Sequence, residues 1–255
     1  MITICKNCEH TFQGNFCNNC GQSADTHTIN AHFLWHDIQH GLFHIETKLL
    51  LTIKELFLSP GLLIKNYLKG KRVDTYNPIS MLLILAAFYG FLCHFFHVHV
   101  IDFASKSTAD NDNFFNLKDI DDWYIMHYSW ISLLLLPFYS LASKLSFRKQ
   151  HFFFLEHVII NTFLLCQILV VQILFVPIIF LSKQGSALQN ILYNVLFSIS
   201  FLFIMITYFQ VFDQLKPVKR LLLSLLSYFI YAFLVSITVL IIVLILMNFH
   251  QTYVN

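Results

Sequence analysis

Long apolar runs separated by short polar segments fill the chain from about residue 79 onward. A helix needs about 20 apolar residues to cross the hydrocarbon of a bilayer, and five of these runs are long enough. None shows the alternation of apolar and polar residues that marks a barrel strand. The pattern predicts an all-α polytopic membrane protein with five transmembrane helices, near residues 79–98, 124–145, 152–181, 188–212 and 221–247.

A different pattern precedes the first run. From Trp35 to Leu56 apolar residues recur every three or four positions, which places them on one stripe of a helix. Charged residues interrupt the stripe, so the helix is not expected to cross the bilayer. The sequence "SPG" at 59–61 should end it, and a short second helix should run to Lys69 with Gly70 as its carboxyl-terminal cap. We expect amphipathic helices that lie on the inner leaflet or pack under the bundle.

Composition and charge agree with a membrane protein and predict its orientation. Only 12% of the residues are charged and 57% are hydrophobic, whereas soluble domains carry about 25% charged residues. With five spans and the amino end inside, all but Lys106, Lys118 and Lys183 of the 16 lysines and arginines lie in inner segments. Positive charge accumulates on the cytoplasmic side, so we expect a cytoplasmic amino end and a carboxyl end outside.

The amino-terminal sequence "CKNCEHTFQGNFCNNCGQ" contains two C-x2-C pairs, whose ligands are Cys5, Cys8, Cys17 and Cys20. Each two-residue gap lets a tight turn aim both thiolates at one ion, and Gly21 permits the positive φ angle of such a turn. The thiolate set favours zinc, with rubredoxin-like iron as the rival that spacing does not exclude.

We expect a structural role for this metal. Four protein ligands leave no open position for Lewis-acid chemistry. About twenty residues cannot bury a core of their own, so the metal has to supply the folding energy. Metal-binding thiolates must also stay reduced, which again places this end of the chain in the cytosol.

Histidines offer a second metal site, and with it the hypothesis of a membrane metalloenzyme. His36 and His40 belong to a ladder spaced by four residues on the amphipathic helix, and His151 and His157 are predicted at the same membrane face. The flanking residues match no H-E-x-x-H motif. The competing interpretation is that amphipathic histidine rings sit between lipid and water.

Polar residues of the third predicted span support another hypothesis. Glu156 is the carboxylate predicted well inside a span, and Asn161 and Gln167 follow it. Intramembrane carboxylates often mark solute or ion pathways, so these residues predict a polar track in a transporter or channel. The alternative is hydrogen bonding between helices.

Lys65, Lys69, Lys71 and Arg72 form a basic patch just before the first span. Such patches attract anionic lipid head groups. Because the net charge is only +2 and the cations lie beside lipid, we expect no nucleic-acid partner.

The segment "HIETKLLLTIKELFLSPGLLIKNYLKGKRVDTYNPISMLLILAAFYGFL", behind the cysteine knuckles, resembles the bacterial membrane proteins of domain-of-unknown-function family 3667. The resemblance implies an amino-terminal zinc ribbon in a bacterial inner membrane and brings no known activity. The residues that match the family's pattern are Thr52, Lys54, Leu56, Pro60, Gly61, Tyr67, Gly70, Lys71, Arg72, Tyr76 and Pro78.

Together these observations predict three parts. Residues 1–26 form a cytoplasmic zinc ribbon, residues 27–77 form interfacial amphipathic helices, and residues 78–255 form a five-helix bundle with an acidic outer loop at 99–123. The favoured function is a non-enzymatic docking or regulatory platform at the membrane. Its expected partners are the lipid bilayer, anionic head groups and a cytoplasmic protein.

Overall fold

The computed structural model describes residues 2–24, 47–98, 117–182 and 186–254, without the side chains of 47, 117–121 and 242–254. A two-stranded antiparallel hairpin pairs β1 (Ile2–Ile4) with β2 (Thr11–Gln13). The other regular elements of the described chain are helices, joined by short loops. The helices are α1 (Thr47–Leu58), α2 (Pro60–Leu68), α3 (Pro78–Phe95), α4 (Leu117–Met126), α5 (Tyr128–Ser146), α6 (Phe154–Leu181), α7 (Ala187–Val211) and α8 (Pro217–Val254), with a 3-10 turn at Arg148–Gln150.

Four helices in the described ranges are long and apolar enough to cross a membrane: α3, α6, α7 and the Pro217–Ile241 part of α8. The chain is therefore a mostly helical, multi-pass membrane protein. The predicted span at 124–145 falls on two helices, because the helix is interrupted at His127 between α4 and α5. Its start was wrong, since residues 124–126 belong to α4. Five spans remain a prediction.

Helix α6 is the centre of the bundle. It contacts α3, α5 and α7 and also receives α1 and α2 against its amino-terminal half. Almost every side chain from His157 to Leu169 is buried as a result. A helix that is apolar on all sides is covered by other elements or by lipid, and the burial of this stretch agrees with its lack of an amphipathic pattern. Helix α8 packs on α5 and α7 at the outside.

The predicted break at 59–61 is confirmed, and it forms a tight helical hairpin against α7. Gly61 lies so close to this helix that an added Cβ would be 2.3 Å from the Cβ of Gln210. The backbone N–H of Gly61 donates to Oε1 of Gln210 at 3.0 Å. The Pro60–Gly61 pair thus starts α2 and lets it approach α7.

Replacing Gly61 with alanine should destabilise the protein by about 1–3 kcal/mol, because the new methyl group overpacks the contact between α2 and α7. Thermal unfolding of the detergent-solubilised protein measures the loss. Ser59→Ala is the matched control, since the Ser59 side chain makes no capping hydrogen bond. An equal melting temperature for Gly61→Ala and wild type would contradict this close approach.

Candidate metal centre

The two C-x2-C segments fold into the same turn. In each, the N–H of the residue four positions after the first cysteine donates to that cysteine's carbonyl, at 2.9 Å for Cys5 and 2.8 Å for Cys17. That fourth residue has a positive φ angle, 62° at Glu9 and 74° at Gly21. The positive φ predicted for Gly21 is confirmed, and the repeat explains how both pairs aim their thiols at one point.

The four thiols form a compact ligand set. The Sγ atoms of Cys5 and Cys20 are 3.5 Å apart, those of Cys8 and Cys17 are 3.6 Å apart, and all four lie within 4.8 Å of one another. A tetrahedral ion with 2.3 Å metal–sulfur bonds would require sulfurs about 3.8 Å apart. The cluster could therefore hold a metal ion with little rearrangement.

The surroundings of Cys8 favour the thiolate, which is the form that binds metals. Hydrogen bonding by the Asn19 side chain and the His10 backbone lowers the pKa of Cys8 to about 6. Apart from the cysteines, Phe12 is the buried hydrophobic side chain of the described ribbon. With so small a core, we expect the fold of this module to depend on a bound metal ion.

The ribbon is attached to the helical domain through Gln22. Its Nε2 donates to the carbonyl of Gly70 at 3.0 Å, and its Oε1 accepts from the N–H of Arg72 at 3.3 Å. Gln22 is only 5% exposed. The side-chain amide thus pairs with two backbone groups of the loop between α2 and α3, as a neighbouring strand would.

This loop is held in a defined shape. The N–H of Lys71 donates to the carbonyl of Asn66 and that of Gly70 to Tyr67, both at 3.0 Å. With Gly70 at a φ of 95°, the bonds form a Schellman motif, which confirms the predicted glycine cap. The Arg72 guanidinium lies 5.0 Å from the centroid of the Tyr67 ring. Tyr67 in turn packs edge-on against Phe163 of α6.

These contacts lie in the segment that carried the family resemblance. Residues 46–90 match the model of a family described as protein of unknown function (DUF3667). The resemblance is confirmed over this segment. The ribbon precedes the DUF3667 match. No curated protein and no solved structure matches the chain.

Several DUF3667 pattern residues have structural roles. The hydroxyl of Thr52 accepts from the N–H of Tyr76 at 2.8 Å and so ties α1 to the start of α3. Pro78 is the first residue of α3, where its missing N–H costs nothing. Gly61 and Gly70 serve the close approach and the left-handed cap described above. Sequence inspection missed Gln22, whose partners lie about 50 residues away.

The predicted polar track is used for contacts between helices. The Asn161 amide donates to the Ser143 hydroxyl at 2.9 Å, and the Tyr208 hydroxyl donates to Oδ1 of Asn161 at 2.6 Å. Gln167 donates to the carbonyl of Leu56 at 3.1 Å. Both amides are buried.

Glu156 occupies a different environment from Asn161 and Gln167. It was expected inside the span at 152–181, near the cytoplasmic end, and because α6 begins at Phe154, Glu156 lies in the first turn. There its carboxylate accepts from the N–H of Phe153 at 2.7 Å, as acidic side chains do at helix amino termini.

The residues predicted for a second metal site are only partly described. His36 and His40 lie outside the described residues, as does the loop at 99–116. Nδ1 of His157 lies 2.9 Å from the buried Ser143 hydroxyl, whereas His151 is exposed. In the described ranges, the four cysteines form the metal-capable cluster, and it includes neither histidine.

The basic patch is divided among different partners. Lys65 donates to Asp213 at 2.6 Å, and Arg72 covers Tyr67. Lys69 is exposed and Lys71 is half-buried. In the described structure, Lys69 and Lys71 form no ion pair with an acidic side chain.

The two turns make a matched pair of predictions. Glu9→Gly should stabilise the ribbon by about 1 kcal/mol, because a side chain costs that much in the left-handed region. Gly21→Ala should destabilise it by a similar amount. Competition of the purified protein against a zinc chelator measures both effects. Lys6→Gly is the control. Asn19→Gly is unsuitable because the Asn19 side chain acts on the pKa of Cys8. Equal metal retention in all variants would contradict the assignment.

Proposed function

We propose that the chain is a bacterial inner-membrane protein whose cytoplasmic zinc ribbon forms a docking and regulatory platform fixed to the DUF3667 segment. The contact of Gln22 with the loop at 70–72 carries the proposal. It connects a metal-dependent module to the helical hairpin and, through Tyr67, to α6. The platform needs no chemistry at the metal, which agrees with four protein ligands and no open position.

Metal occupancy would act on this contact in a simple way. With zinc bound, the second C-x2-C turn, which begins at Cys17, is folded and holds Gln22 in place. Without zinc, the ribbon lacks a sufficient core and Gln22 is released, so the loop loses two hydrogen bonds of about 1 kcal/mol each. The cytoplasmic surface that a partner protein would meet therefore differs between the two states.

The predicted orientation belongs to this proposal. In this proposal α5, which packs among α3, α6 and α8, is the fifth span, so the two ends lie on opposite sides of the membrane. The positive-inside rule then favours a cytoplasmic amino end and a carboxyl end outside. Lys69 and Lys71 then face the inner leaflet, where anionic head groups attract them. A cytoplasmic protein is the proposed partner, and nucleic acid is not.

The other two hypotheses gain no support from the described contacts. The side-chain amides of Asn161 and Gln167 form hydrogen bonds with neighbouring helices. A transport track requires groups that face a water-accessible path. The metalloenzyme hypothesis depends on His36 and His40, which lie outside the described residues. The platform therefore remains the function that the geometry favours.

Limited trypsin digestion of the purified protein tests the proposal, because Lys71 and Arg72 are cleavage sites inside the loop that Gln22 holds. We expect chelation of the metal to accelerate cleavage after Arg72 about tenfold, the effect of losing 1.4 kcal/mol or more. Gln22→Ala should do the same with the metal still bound. The matched control is Gln13→Ala, an exposed glutamine of β2.

Elemental analysis identifies the metal in the same samples. One zinc per chain that is lost when all four cysteines are replaced by serine supports the ribbon, and membrane insertion should survive that change. Iron at the cysteines would refute the zinc assignment. Cleavage rates that respond to neither chelation nor Gln22→Ala would refute the regulatory contact.

A further inference from the structure

A cleft opens between α2, the segment before α6 and the end of α7. Its volume is about 710 Å³, within the range of small-molecule sites. It is lined by Leu62 and Lys65 of α2 and by Lys69, which directly follows this helix. Phe152 and Phe212 contribute from the other segments. It lies at the end of the bundle where the predicted cytoplasmic cations gather.

The cleft combines two cations with two carboxylates. Lys65 lies in α2 and Lys69 directly follows this helix. Glu156 lies in the first turn of α6, and Asp213 follows α7. Lys65 and Asp213 form an ion pair at 2.6 Å, with 28% and 54% of their side chains exposed. The hydrogen bond from Lys65 lowers the pKa of Asp213, so this carboxylate is charged at neutral pH. The lining has a formal net charge of zero.

The rest of the cleft's lining is partly polar and partly apolar. Asn66, Gln150 and Gln214 add amide groups beside the charges, whereas Leu62 and Phe152 add apolar surface. Leu62 is 58% exposed, which provides an apolar edge beside the charged part. A ligand that matches both parts has a polar head with both signs of charge and an apolar tail.

We propose that this cleft binds a phosphate ester carrying a primary ammonium group, the chemistry of a phosphoethanolamine head group. The phosphate would lie toward Lys69 and Lys65, and the ammonium would donate to Glu156 and Asp213. The apolar edge favours the lipid form from the inner leaflet, although free phosphoethanolamine presents the same polar groups. This site goes beyond the platform function and does not depend on the metal.

Charge and hydrogen bonding separate this ligand from other phospholipids. A phosphatidylglycerol head group brings an anion without the ammonium that would donate to Glu156 and Asp213. A choline head group brings the cation but offers no N–H donor, so charge-assisted hydrogen bonds to the carboxylates cannot form. The basic patch at 65–72 differs in kind, because its attraction to anionic lipid is not directional.

Native mass spectrometry of the purified full chain tests the proposal with three lipids of identical acyl chains, carrying ethanolamine, glycerol or choline head groups. We expect one ethanolamine lipid to be retained about tenfold more strongly than either competitor. Displacement of that lipid by millimolar phosphoethanolamine would identify the polar group alone as the ligand. Resistance to displacement would identify the lipid as the ligand. Equal retention of the three lipids would overturn the proposal.

Variants then assign the effect to the cleft. Glu156→Gln with Asp213→Asn keeps the shape and removes both negative charges, so preference should move from the ethanolamine lipid to the glycerol lipid. A merely structural role would not reverse this preference. If the double variant does not fold, Lys69→Ala provides the test and should weaken retention of the ethanolamine lipid.

Lys149→Ala is the matched control, since Lys149 is an exposed cation near the same end that does not line the cleft. It should leave lipid retention unchanged. A loss as large as that of Lys69→Ala, or an unchanged preference in the double variant, would refute the site.

Discussion

The structure depends on one constraint: inside a membrane bundle, a polar group without a hydrogen-bond partner costs several kcal/mol. The last turn of α1 leaves backbone carbonyls unpaired, and Gln167 of α6 donates to the one at Leu56. Thr207 of α7 donates to the same glutamine at 3.2 Å. One buried amide therefore joins α1, α6 and α7. The hairpin of α1 and α2 is anchored to the bundle by this contact and by that of Gly61 with α7.

The position of the ribbon follows from the anchored hairpin. Helix α2 ends in the Schellman motif at Gly70, and this motif presents a carbonyl and an N–H to Gln22. The matching amide comes from the ribbon, directly after its second C-x2-C pair. Under the proposed function, metal binding would be coupled to the helical hairpin through the Gln22 side chain.

Charge is segregated along the bundle, so its buried interior and its end beside α2 have different chemistry. The amides and hydroxyls of Ser143, Asn161 and Tyr208 are buried and pair with one another across helices. The full charges of Lys65 and Asp213 meet instead where α2, α6 and α7 diverge at the bundle's end. Unpaired polar groups are tolerated there because water and lipid head groups reach them. A ligand site is therefore expected at this end and not at mid-membrane.

The sequence alone determined the features that depend on near neighbours. Cysteine spacing predicted the ligand set, apolar runs predicted the long helices, and the break at 59–61 and the cap at Gly70 followed from backbone preferences. Only the tertiary structure decided the partners of Gln22, Asn161 and Gln167. The reason is physical: ligand spacing and helical periodicity act over a few residues, whereas a polar side chain in the interior pairs with groups that folding brings from about 20 to more than 100 positions away.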